Sequence, residues 1–198
     1  MASPLTKSKA IKAIEKNGML LVYPVKNKAE PKSLWSELLP RKEMVWDWTE
    51  EAGSEVAEMW RLRENLARSG DVVYAKYLQN RATFFSKSRF IDLLREKNDF
   101  KRMQEIGEDA YIRETFSRDA QNLLEVLMSD SPLSTKQIKL AADMRGKFYE
   151  RAYEKAMKEL WQRLWIVGYG EIDDGAFPSL AVGATKLLFE DLWNEAKR

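Results

Sequence analysis

Several cations in the second half of the chain recur at the spacing of one helix face: Lys147, Arg151, Lys155 and Lys158. Side chains three or four positions apart in a helix are neighbours, so these cations could bind phosphate oxygens together. Glu150 and Glu154 point outward in the same region and would repel phosphate. This mixed face leaves two uses open, a nucleic-acid contact or a contact with another protein or domain.

A second basic group occurs in YAKYLQNRATFF, residues 74–85. Its β-branched and aromatic residues predict a hairpin, with Lys76 on one face and Arg81 at the tip. Gln79, Asn80 and Arg81 have side chains that can donate to base edges in a groove. The alternative interpretation is an ordinary solvated turn.

Four tryptophans stand near cations in the first half of the chain: Trp35, Trp46, Trp48 and Trp60. With Arg41, Lys42, Arg61 and Arg63 they could stack on bases while the cations hold phosphates. The alternative is that they fill the core of the first domain, as tryptophan often does. Of this group, Arg41 and Trp48 are predicted contacts, Trp48 because it lies in a loop.

The elements that would position these residues are clearest from residue 118 onward. Apolar residues at helical spacing predict a helix that ends at Ser129–Pro132, where proline stops it. Ser134 and Gln137 form a capping-box pattern for a short helix over residues 135–143. A turn at Arg145-Gly146 and a helix over residues 147–163 follow. Two strand-like runs flank Asp173-Asp174-Gly175. This order is that of a winged helix-turn-helix.

The first half shows a similar order, with predicted helices over 7–17, 33–39 and 54–69, a strand over 19–25, and the hairpin over 72–86. It resembles a second, degenerate winged helix, although the two halves share no sequence repeat. Residues 98–107 are polar and weakly patterned. We therefore predict an α+β, mostly helical protein with tandem winged helix-turn-helix domains over residues 1–102 and 103–198.

Composition limits the possible functions. The 198 residues include 44% hydrophobic residues and carry a net charge of +2, without cysteine or histidine. Disulfides, thiol nucleophiles, cysteine-ligated zinc and serine–histidine catalysis are therefore excluded, and we predict no metal and no cofactor. No apolar run approaches the ~20 residues of a membrane helix. We expect a cytoplasmic protein without a membrane partner.

Several segments in order (GMLLVYP, SLWSELLPR, VVYAKYLQNRATFFS and the region from SPLSTKQIKLAA to LWIVGYG) resemble the AlkZ-related winged-helix proteins. These are relatives of the AlkZ/YcaQ DNA glycosylases, which act on interstrand crosslinks and alkylated bases. The resemblance implies a tandem winged-helix fold and DNA as the partner. Those enzymes carry a Gln–hydrophobic–Gln or Gln–hydrophobic–Asp motif. None of the five glutamines here begins such a triplet, so no catalytic residue is assigned.

Three hypotheses follow. The first is a DNA-binding winged-helix protein in repair or regulation, with Lys147, Arg151, Lys155, Arg81, Lys76, Arg41 and Trp48 as contacts. The second is a divergent DNA glycosylase, in which a carboxylate such as Asp47 or Glu64 positions water at the sugar of a flipped base. The third is a protein-interaction module on the same scaffold.

Overall fold

The structure is a computed structural model that describes residues 4–46, 55–175 and 178–198. Asp47 and Trp48, both singled out from the sequence, lie outside these residues, as does Phe177. The described helices are α1 (Lys7–Asn17), α2 (Leu34–Leu38), α3 (Glu55–Ser69), α4 (Lys87–Lys97), α5 (Phe100–Ile106), α6 (Glu108–Thr115), α7 (Arg118–Ser129), α8 (Thr135–Ala141), α9 (Glu150–Gln162), α10 (Thr185–Leu188) and α11 (Glu190–Ala196). The strands are β1 (Met19–Leu21), β2 (Val73–Lys76), β3 (Ala82–Phe85), β4 (Leu133–Ser134), β5 (Ile166–Ile172) and β6 (Ser179–Ala184).

All six strands join in one sheet in the order β1-β3-β2-β5-β6-β4. Each neighbouring pair is antiparallel. The chain is therefore an α+β protein, as predicted. The first three strands of the sheet come from the first half of the chain and the other three from the second half.

Helices cover both faces of this sheet, because the strands alternate their apolar side chains between two cores. Val73 and Ala75 point into the core that also contains α4, α7, α9 and α11. Tyr74 and Phe84 point into the opposite core, which contains α1, α2 and α3. The helix α4 precedes the predicted boundary at residue 102, yet it packs in the same core as the helices of the second half.

The two halves have the same order of elements: helix, strand, helix, helix, strand, strand. In the first half this order is α1 to β3, and in the second half it is α7 to β6. Strand pairing also agrees, since in each half the first strand pairs with the third and the third pairs with the second. Both short second helices begin with a serine capping box, at Ser33 and Ser134.

The halves meet where β2 pairs with β5, at Tyr74 opposite Gly168. A Cβ at residue 168 would lie 2.3 Å from a ring carbon of Tyr74, so only glycine fits beneath that ring. The contacts around this pair are reciprocal. Arg68 donates to the Glu171 carbonyl at 2.6 Å, and Gln162 donates to the Tyr77 carbonyl at 3.1 Å. The third helices of the two halves, α3 and α9, therefore each end with a hydrogen bond to the other half.

Several local predictions are confirmed. The hairpin over residues 72–86 forms as β2 and β3, paired from Val73↔Phe85 to Lys76↔Ala82. The Ser134 hydroxyl accepts from the Gln137 amide nitrogen at 3.2 Å, and the Gln137 side chain accepts from the Ser134 amide nitrogen at 2.8 Å. The strands on either side of Asp173-Asp174-Gly175 pair with each other as β5 and β6.

Three local predictions are wrong. Residues 98–107, predicted to be weakly patterned, contain the helix α5, because Phe100 and Met103 are buried and hold it in the core. The third helix of the second half begins at Glu150 rather than Lys147, because residues 146–149 form a tight turn, with the Tyr149 amide donating to the Gly146 carbonyl at 3.1 Å. The predicted closing helix divides into α10 and α11, because non-helical backbone at Phe189 turns that ring into the core.

Candidate nucleic-acid interface

A groove of about 680 Å³ lies along α9, between the start of α8, β6 and the β2–β3 hairpin. Five cationic side chains line it: Lys76, Lys139, Arg151, Lys155 and Lys158. Two carboxylates, those of Glu150 and Glu154, also line it. Its floor is apolar and includes Tyr153, Met157 and Trp161 from the inner side of α9. The groove is therefore a cationic channel above a hydrophobic base.

Three residues predicted as contacts come together here. Arg151 and Lys155 are one turn apart on the exposed side of α9. Lys76 comes from the end of β2, far away in the sequence, and lines the same groove. The pairing of β2 with β5 produces this meeting, since it sets the hairpin beside α9.

The other predicted contacts lie elsewhere. Lys147 is exposed in the turn before α9, and Arg81 is exposed at the end of the β2–β3 turn, next to the groove residue Asn80. Arg41 follows α2 and lines a separate pocket of about 330 Å³ with Lys28 and Lys42. No contact of Trp48 is described, because that residue lies outside the described ranges.

Sequence reasoning missed Lys139 as a groove residue. Its ammonium group lies 2.7 Å from a carboxylate oxygen of Glu150 and 4.6 Å from the centroid of the Tyr153 ring. It therefore neutralises one of the two carboxylates that would otherwise repel phosphate. Lys139 lies on the helix predicted over residues 135–143, but its position in that helix gave no signal that it faces α9.

Two groove residues have shifted pKa values. Partial desolvation lowers the pKa of the Lys76 ammonium group although the side chain reaches solvent, and the positive charge of Arg63 lowers it further. Burial raises the pKa of the Tyr153 phenol to about 12, against the effect of a hydrogen bond with Thr135. The groove therefore contains a lysine that loses its charge more readily than usual and a floor that stays neutral.

The tryptophans divide between the two interpretations. Trp35 is buried, and its indole N–H donates to the Lys42 carbonyl at 2.8 Å, so it belongs to the core. Trp46 is 59% exposed and packs on Tyr23 with ring centroids 5.0 Å apart. Trp60 is partly exposed, and the guanidinium of Arg63 lies 3.8 Å from its ring centroid. These rings do not line the groove.

The two carboxylates considered for catalysis, those of Glu64 and Asp47, do not lie in the described part of the groove. Glu64 forms an ion pair with Arg68 at 2.8 Å and does not line the groove. Asp47 lies outside the described residues. No group of three or more acidic side chains among the described residues is placed to hold a metal ion.

None of the described helices combines the length and apolar character required to span a membrane.

Comparison with known proteins gives one positive result. The family model described as AlkZ related matches residues 5–174 of the chain. Searches of curated proteins and of solved structures gave no match. The matched range contains the β2–β3 hairpin, α8, α9 and β5, and so includes most of the groove. The chain belongs to the AlkZ-related family.

Proposed function

We propose that this protein binds DNA through the groove along α9 and acts in DNA repair or regulation. The observation that carries this proposal is the convergence of five cations on one groove, from α8, α9 and the β2–β3 hairpin. Cations that follow a channel can neutralise successive phosphates of a nucleic-acid backbone. Membership of the AlkZ-related family supports DNA, and repair of DNA, as the context.

The order of elements supports a winged helix-turn-helix for the second half. In that architecture the helix corresponding to α9 enters the major groove, and the hairpin corresponding to β5 and β6 approaches the backbone. The matching order and strand pairing of the first half support a tandem of two such domains. In this proposal Lys76, Arg151 and Lys155 contact phosphate directly, while Lys147 and Arg81 extend the surface at its two ends.

The β5–β6 hairpin itself offers little attraction for phosphate. Its turn contains Asp173 and Asp174, and its base is occupied by Arg63 and Arg68 from α3, both of which contact Glu171. We therefore assign the main electrostatic contact to α9 and to the β2–β3 hairpin. The β5–β6 hairpin then serves mainly to join the two halves.

The proposal is tested by fluorescence anisotropy with a labelled DNA duplex at several salt concentrations. The expected result is micromolar or tighter binding at low salt that weakens steeply as salt rises, because bound phosphates release counterions. No binding at low salt would contradict the proposal. The protein-interaction module would then be the better account.

A divergent glycosylase is the second candidate, favoured by the family relationship alone. The ion pair of Glu64 with Arg68 and its position outside the groove argue against Glu64 as a base that positions water. We therefore expect no release of an alkylated base from duplex DNA. Release that is lost in Glu64→Gln or Asp47→Asn would instead establish catalysis.

A further inference from the structure

The turn between α8 and α9 presents an aromatic ring to solvent. Phe148 is 88% exposed, more than any other large hydrophobic side chain in the described ranges. Removing a phenylalanine ring from water is favourable, but no part of the described chain shields this ring from solvent. The ring lies outside the groove but in the turn that leads directly into α9.

Contacts within the turn position this ring. Tyr149 packs against it edge to face, with ring centroids 5.1 Å apart and an angle of 90° between the rings. The backbone beneath is hydrogen-bonded, since the Tyr149 amide donates to the Gly146 carbonyl at 3.1 Å and the Tyr153 amide donates to the Tyr149 carbonyl at 2.9 Å. The ring is therefore presented on an ordered turn, which limits the conformational entropy lost on binding.

Cations surround the same turn. A pocket of about 400 Å³ lies against it and is lined by Lys136, Lys139 and Arg145, with no carboxylate among its described lining residues. Lys147 directly precedes Phe148, and Arg151 follows it as the second residue of α9. The surroundings of the ring therefore suit an anionic ligand.

Two acidic groups near this turn are already bound, whereas the side chain of Asp143, earlier in the same loop, is exposed. The Glu150 carboxylate is paired with Lys139 at 2.7 Å. The Asp174 carboxylate accepts from the hydroxyls of Ser134 and Ser179, and its pKa is lowered mainly by the Ser134 hydrogen bond. These interactions reduce the repulsion that an incoming phosphate would meet.

We propose that the α8–α9 turn binds an unpaired nucleotide, with its base stacked on Phe148 and its phosphate held by Arg145 and Lys136. An aromatic ring stacks on any base because every base has a π-face, and neighbouring cations hold the backbone. The proposal rests on DNA binding by the α9 groove and adds a preference to it. DNA with an unpaired base binds more tightly than fully paired DNA.

The test compares two labelled duplexes that differ only in one bulged nucleotide, using the full chain. Wild type should bind the bulged duplex more tightly. Phe148→Ala should weaken binding to the bulged duplex about tenfold, the usual effect of losing one stacked base, and change binding to the paired duplex less than about twofold. Phe148→Trp should retain the preference. Leu187→Ala, a half-exposed apolar residue on α10, is the matched control and should change neither affinity.

A second readout reports stacking directly. With 2-aminopurine as the bulged nucleotide, binding of wild type should change the fluorescence of that base, and binding of Phe148→Ala at saturation should not. Equal binding of both duplexes by wild type, or an unchanged preference in Phe148→Ala, overturns the inference while DNA binding stands. Loss of self-association in Phe148→Ala without any effect on DNA also overturns it, since the ring would then be a protein contact. Absence of binding to either duplex contradicts the proposed function itself.

Discussion

Arg63 in α3 and Glu171 in β5 form an ion pair in which both side chains are largely buried. The guanidinium also lies over the Trp60 ring, 3.8 Å from its centroid, and 5.9 Å from the centroid of Tyr74. Its Nε has no hydrogen-bond partner among the described residues. One buried cation therefore links α3 of the first half to β5, the strand of the second half that borders the first.

Loss of this cation should destabilise the fold. Arg63→Met would leave the Glu171 carboxylate without its partner and should lower the free energy of unfolding by about 3 kcal/mol. Glu171→Met is the second single variant. The double variant Arg63→Met/Glu171→Met should lose less free energy of unfolding than the two single variants lose in sum. Urea denaturation measures all three variants. Strictly additive effects would show that the pair contributes no coupling between the halves.

The close approach at the junction of the halves gives a second prediction. Gly168→Ala would place a Cβ 2.3 Å from the Tyr74 ring, so the strands or the ring must shift. We expect the free energy of unfolding to fall by about 1–3 kcal/mol, as for other overpacked cores. Gly175→Ala is the control, because no described neighbour lies within 4 Å of the added Cβ. Similar unfolding midpoints for the two variants would contradict the tight junction.

Local patterns predicted much of this fold, and long-range pairing accounts for what they missed. The capping box at Ser134 and the alternation of the β2–β3 hairpin depend on nearby residues, and both predictions are confirmed. The helix α5 was missed because Phe100 and Met103 provide few apolar positions, and their packing partners, such as Trp193, are remote in sequence.

The candidate site could be predicted only in part from the sequence, for the same reason. Helical spacing grouped Arg151 with Lys155, but Lys76 joins them only because β2 pairs with β5. Nothing local in a sequence specifies which strands of two hairpins become neighbours. The burial of Arg63 was likewise hidden, since its partner Glu171 belongs to the other half.

Alkaline pH should destabilise the protein through buried phenols. Burial raises the pKa values of Tyr23 and Tyr153 to about 12, whereas an unfolded tyrosine ionises near pH 10. Between these values only the unfolded chain loses the proton. Each residue should therefore lower the free energy of unfolding by up to about 1.4 kcal/mol per pH unit. In Tyr153→Phe the fall above about pH 10 should be shallower, and an unchanged slope would show that this phenol ionises freely.

The pKa of Lys76 gives the DNA affinity a pH dependence. Since its pKa is lowered in the free protein, rising pH removes this charge before that of an ordinary lysine, and affinity should fall. Lys76→Arg keeps its charge and should reduce the fall as pH rises towards the ordinary pKa of lysine. Anisotropy titrations at fixed ionic strength measure the ratio of Kd values. Identical ratios for wild type and Lys76→Arg would remove Lys76 from the interface.

The most direct test of the central claim compares two charge-matched double variants by DNA titration over a range of salt concentrations. Arg151→Ala/Lys155→Ala removes two cations from the groove, and Lys12→Ala/Lys16→Ala removes two exposed cations from α1, whose buried side belongs to the opposite core. The groove variant should bind at least about tenfold more weakly, with a salt slope reduced by about 1 to 2, while the α1 variant binds like wild type. Equal losses in the two variants would mean that only overall charge attracts DNA, and that the groove along α9 is not the binding site.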